Sequence, residues 1–145
     1  MPNAWVSGEG PLVDERQFTP WAEPGWLSWN AYSPEQRFCE AAAELARTVD
    51  GAVIETGAGQ GYVTRRVAKT ASPYFVYESD PRLRATIPDE YTVIDEPTPD
   101  EGELKICELL IVDSGINFRR QEISLWLEYA PENSLLLMHD AGNGH

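Results

Sequence analysis

Five short apolar runs recur along the chain, and the stretches between them suit helices or turns. This alternation limits the fold more than any single motif does. The runs are Ala52 to Glu55, Tyr74 to Glu78, Tyr91 to Asp95, Leu109 to Asp113 and Ser134 to Met138. They are apolar throughout rather than at every second residue, as expected of strands buried on both faces, and such strands alternating with helices form a parallel sheet. The expectation is a three-layer α/β/α sandwich with strand order 3-2-1-4-5. Ligands bind such sheets beyond the C-terminal strand ends, near the point where the order reverses. Acids or glycines stand at those ends: Glu55 to Gly61, Glu78, Asp95, Asp113 and Asp140.

The helices are read from caps and spacing. Ser33-Pro34-Glu35-Gln36 has a capping hydroxyl, a proline at the first helical position and a glutamine where a capping box wants one. Phe38, Ala42, Leu45 and Val49 follow at helical spacing, and Asp50-Gly51 ends the run. Gln60 to Lys69 continues from the glycine loop, and Pro81 to Ala85 makes a short turn of helix. Phe118 to Ala130 is predicted to be capped by Asn117 and to turn Ile123, Trp126, Leu127 and Ala130 inward. The acidic, proline-rich PTPDEGELKICE segment reads as a surface loop. Residues 1–32, with four prolines and four tryptophans, read as an irregular arm that packs on the domain or covers a ligand, and residues 33–145 as the ligand-binding domain.

A net charge of −13 with 11 basic residues leaves no field of lysine and arginine for phosphates, so nucleic acid is not an expected partner. Cys39 and Cys107 lack metal-ligand or redox spacing and read as buried free thiols, which fits a reducing, cytoplasmic setting. The N-terminus has no basic region followed by an apolar core, and no apolar run approaches the ~20 residues of a membrane span.

The loop after the first run reads Val53-Ile54-Glu55-Thr56-Gly57-Ala58-Gly59-Gln60-Gly61-Tyr62. Glycines between a strand and a helix let the backbone turn tightly and approach a ligand. A nucleotide-triphosphate loop needs Gly-Lys-Ser/Thr, and Gly61-Tyr62-Val63 lacks it. The dinucleotide pattern G-x-G-x-x-G fails at Tyr62, and Glu55 would repel a pyrophosphate. The same carboxylate suits a cationic ligand carrying an ammonium and a sulfonium.

Glu55-Thr56-Gly57-Ala58-Gly59-Gln60-Gly61 resembles the first motif of class I S-adenosylmethionine-dependent methyltransferases, (D/E)xGxGxG. The resemblance spans roughly residues 33 to 140 and implies a Rossmann-like fold with S-adenosylmethionine as cofactor. Gly57, Ala58, Gly59 and Gly61 would then lie under the methionine part, with Glu55 orienting its amino group. Glu78, 21 residues after Gly57, matches the acid that accepts the ribose hydroxyls, and Asp95 or Glu96 falls near the adenine. The YESDP run is similar to small-molecule O-methyltransferases and favours Glu78 over Asp80.

The amine-methylating signature Asn/Asp-Pro-Pro-Tyr is absent after the fourth strand. Asp113 and Asp140 resemble the carboxylates that hold Mg²⁺ in sugar- and catechol-type O-methyltransferases, and His139 suits a third ligand or the general base. Bland roles stay open: His139 as a strand-end imidazole bonded to a loop, and Asp113 as a holder of turn amides. The implied activity is O-methylation of a small molecule.

Full methyltransferase sheets have seven strands, the last two a hairpin beside the fifth, and this chain ends at His145. The fifth strand is thus expected to be an apolar edge covered by the arm, a second copy, a partner or further sequence. The alternative reading is a non-catalytic domain that keeps the fold and serves as a subunit or interaction module.

Overall fold

The computed structural model describes residues 36–71 and 73–139. The expected arm, the Ser33 cap and Asp140 lie outside the described residues. In chain order the elements are α1 (Gln36–Thr48), β1 (Ala52–Thr56), α2 (Tyr62–Val67), β2 (Tyr74–Tyr77), α3 (Pro81–Arg84), β3 (Val93–Ile94), α4 (Glu101–Leu104), β4 (Cys107–Val112), α5 (Ile116–Tyr129) and β5 (Leu135–Met138).

The sheet is parallel with order β3-β2-β1-β4-β5, as the apolar runs predict. Its register places the last residues of all five strands in one row: Thr56 pairs with Tyr77 and Val112, Tyr77 with Ile94, and Val112 with Met138. The residues that follow, Gly57, Glu78, Asp95, Asp113 and His139, therefore leave the sheet along one rim. Backbone bonds extend the ladder one step into that rim, from Gly57 N to Tyr77 O and from Asp113 N to Thr56 O, each 3.0 Å.

Two apolar layers hold the sheet. On one face, Phe38, Cys39, Ala42 and Ala46 of α1 pack with Tyr62, Val63 and Val67 of α2 over Val53, Leu109 and Ile111. On the other, Ile54, Leu110 and Val112 meet Leu104 of α4 and Leu125, Trp126 and Tyr129 of α5. Leu104, Leu109, Leu110 and Ile111 are fully buried, each worth about 2 kcal/mol of transfer free energy. Both cysteines are free and buried, which pushes the Cys39 thiol up to about 12. Among the described residues no helix is long and apolar enough to cross a membrane.

Three local readings need correction. The PTPDEGELKICE segment is not all loop: Asp100 caps α4 by accepting from Glu103 N, and Leu104 anchors it in the core. The N-cap of α5 is Gly115 rather than Asn117. The inward face of α5 carries Glu122, Leu125, Trp126 and Tyr129, while Leu127 is 71% exposed. The helix is rotated about its axis from the apolar prediction because a carboxylate, not a hydrocarbon, occupies its most buried position.

Candidate active site

The rim is built around the turn from β1 into α2. Gly57, Gly59 and Gly61 all have positive φ, at 70°, 59° and 84°. Only at Gly57 does space add to conformation, since a Cβ there would lie 2.5 Å from the backbone N and Cα of Ser114. The loop thus presses directly on the turn after β4. Ala58 buries its methyl against Val76 and Ile87, and its N–H donates to Tyr77 O at 3.2 Å.

Glu78 ties this loop to the end of β2. Its Oε1 accepts from Gly59 N at 2.7 Å and its Oε2 from Asp80 N at 2.9 Å. An ionised carboxylate offers about four lone-pair sites, so two acceptor positions remain after these bonds. Burial raises its pKa, and the two amide donors oppose that rise. Asp80 has a different task, capping α3 through Arg82 N and pairing with the Arg82 guanidinium.

Glu55 lies 1% exposed on the α2 face of β1. Its Oε1 accepts from Thr64 Oγ1 at 3.0 Å and from the Tyr74 hydroxyl. Burial pushes its carboxyl up to about 7, against the lowering effect of these two donors. Thr64 belongs to α2 and Tyr74 to β2, so Glu55 braces the elements beneath the loop. The hydroxyl partners escape a motif reading because only the packing of α2 and β2 brings them to this carboxylate.

Asp95 is exposed and pairs with Arg84 Nη1 at 2.8 Å, while the same nitrogen donates to Glu78 O at 2.9 Å. Glu96 lines a cavity of about 420 Å³ with Tyr77, Ile94, Thr98, Asp100 and Glu103. The Tyr77 hydroxyl donates to Glu103 and accepts from Asp100 N at 3.0 Å.

Across the order reversal, Asp113 and His139 come together. His139 Nδ1 stands 3.0 Å from Asp113 Oδ1, and Arg119 Nη2 3.8 Å from the same oxygen. An ionised carboxylate only accepts, so Nδ1 is the donor and Nε2 the basic nitrogen of the neutral ring. Arg119 also donates to Ser114 O at 2.7 Å and His139 O at 2.6 Å, clamping both turns. Phe38 packs edge-on to the imidazole with centroids 4.7 Å apart. Among the described residues no group of three His, Cys, Asp or Glu side chains is placed to hold a metal. Asp113 pairs with His139 and Arg119, and Asp140, the other expected ligand, lies outside the described residues.

The sequence reading missed Arg119 and Glu122 at this end of the site, and gave Ser114 no role beyond its turn. Glu122 is fully buried, with its Oε2 accepting from Ser114 Oγ at 2.6 Å and Thr56 Oγ1 at 3.2 Å. An acid spaced three, four and seven residues before Leu125, Trp126 and Tyr129 was the available signal.

No protein-family model matches the sequence, and a search of curated proteins finds no match. Solved structures do match. A Klebsiella pneumoniae protein assigned as an O-methyltransferase superposes with TM-score 0.60 at 16% identity, over 75% of this chain and 57% of that one. A ribosomal-protein methylase from Lactobacillus delbrueckii gives 0.56 at 12%, over 80% and 63%. A precorrin methyltransferase from Geobacter metallireducens gives 0.57 at 14%, over 88% and 71%. The fold is that of class I S-adenosylmethionine-dependent methyltransferases, and the chain spans a little over half the length of the first two.

Proposed function

We propose that this chain is an S-adenosylmethionine-dependent methyltransferase that methylates a hydroxyl of a small molecule. The observation that carries the reading is Glu78, fastened by the Gly59 and Asp80 amides with acceptor positions left over, beside a loop whose Gly57 admits no Cβ. Those residues fit the cofactor: the glycine backbone would lie against its methionine part, and Glu78 would accept its ribose hydroxyls. Bound there, the cofactor supplies a methyl group activated by a sulfonium.

The remaining chemistry belongs to the chain. Glu55 acts through the elements it braces, because it is buried and its Oε1 accepts from Thr64 and Tyr74. Asp113 holds His139 with Nδ1 as donor, so Nε2 is the basic nitrogen; it is buried, and it takes a proton from an acceptor hydroxyl only where the acceptor displaces the atoms that cover it. Arg119 fixes the carbonyls on either side of that pair. The charge of −13 disfavours a nucleic-acid acceptor, and a small neutral or cationic molecule suits the site better.

Isothermal titration with S-adenosylmethionine and its demethylated product tests the proposal. Saturable binding of both is expected, weakened about tenfold or more in Glu78→Ala by loss of charged hydrogen bonds. No heat with either compound at millimolar concentration overturns it. A second reading, a non-catalytic interaction module, draws on Leu135 of β5 and Leu127 of α5, both exposed. Turnover of any hydroxyl acceptor would remove that reading.

A further inference from the structure

Among the described residues, Glu122 is a fully buried acid that the proposed methyl transfer does not use. It lies under the order reversal, where β1 and β4 part. From β1 it receives the hydroxyl of Thr56, the residue before Gly57; from the turn after β4 it receives the hydroxyl of Ser114. Ser114 is also the residue whose backbone touches the vacant Cβ position of Gly57. Both turns are therefore tied to one carboxyl group. Its other oxygen, Oε1, is buried and has no hydrogen-bond partner among the described residues.

We infer that Glu122 is a positioning residue: by clasping Thr56 and Ser114 it sets the separation of the glycine loop from the β4–α5 turn, and with it the grip on the cofactor. The inference rests on the proposed cofactor site for its affinity readout, but the clasp itself does not.

A buried oxygen without a donor tolerates a neutral carboxyl better than a carboxylate. Burial accordingly raises the Glu122 pKa, opposed by the Ser114 and Thr56 hydroxyls and by Arg119, the only charged group acting on it among the described residues. The neutral form can donate to one hydroxyl while accepting from the other. The ionised form leaves charge beside the bare Oε1 and favours an opened clasp that admits water. The grip should therefore be full at low pH and loosen as pH rises through the folded-state pKa of Glu122.

The experiment measures affinity for S-adenosylhomocysteine at pH 5 and pH 9 in wild type, Glu122→Gln, Glu122→Ala and Thr56→Val. Glu122→Gln is expected to lose less affinity than wild type between the acid and the alkaline end. Glu122→Ala should bind about tenfold more weakly at both, and Thr56→Val, which keeps its shape, about threefold. Wild-type affinity in Glu122→Ala, or the wild-type pH ratio in Glu122→Gln, overturns the inference. Should wild type bind no cofactor, amide hydrogen exchange still decides. Protection at Gly57, Asp113 and Ser114 must fall in Glu122→Ala and survive in Glu122→Gln; unchanged protection in Glu122→Ala overturns it.

Discussion

The two sides of the rim hold their acids in different ways. On the β1–β2 side, Glu55 and Glu78 are buried and held by hydroxyls and main-chain amides. On the β4–β5 side, Asp113 and His139 are partly exposed, at 20% and 15% of their side chains, and rely on each other and on Arg119. Main-chain donors come with the fold, so the Glu78 part of the first side is formed once the sheet and its turns are formed, while Glu55 also needs α2 packed against the sheet. The second depends on side chains from three elements meeting after packing. A fixed cradle suits a ligand common to a fold, and an assembled side-chain group suits a partner that differs between proteins sharing it.

The sharpest way to break this contrast is at the loop. Gly57→Ala puts a methyl into the Ser114 backbone at positive φ and should cost about 3 kcal/mol or more, read as a shift of the urea midpoint. Gly61→Ala, with Ile87 no nearer than 3.5 Å, should cost only about 1 kcal/mol. Equal losses at both positions would mean that the loop does not bear on the β4–α5 turn.

The next effect is electrostatic. The Glu55 carboxyl is raised from 4.5 to about 7, so the unfolded chain releases this proton first. Its contribution to stability is full below about pH 4.5 and is lost as pH rises through 7, by roughly 3 kcal/mol at most. Denaturation curves from pH 4 to 8 should show this fall in wild type and a flatter profile in Glu55→Gln. A profile unchanged by the substitution would place the titration elsewhere.

The smallest effect sharpens the difference between rim and crevice. Asp95 is two-thirds exposed, so its ion pair with Arg84 should contribute less than about 1 kcal/mol. Asp95→Asn should leave both the urea midpoint and cofactor affinity near wild type, whereas Glu78→Ala should lower affinity. A large loss of affinity in Asp95→Asn would move Asp95 into the binding site.

How much was legible follows from the range of each signal. The apolar runs and the glycine spacing are local, and from them the parallel sheet, its order and the strand ends carrying Glu55, Glu78, Asp113 and His139 could all be read. Helix α4 was hidden because four residues give too little periodicity, and Leu104 is its only buried residue. The inner face of α5 was misread because Glu122 breaks the apolar stripe, and a charged residue is by default assigned to solvent.

Taken alone, the sequence determined which residues leave the strands along one rim, since strand propensity and backbone turns act between neighbours in the chain. Only the tertiary structure decided where each acid points: Glu55 onto Thr64 and Tyr74, Glu78 onto the loop amides, Glu122 onto Thr56 and Ser114. The partner of a buried charge is chosen by whichever donors packing brings within hydrogen-bond reach, and those donors stand as far as 66 residues away in the chain.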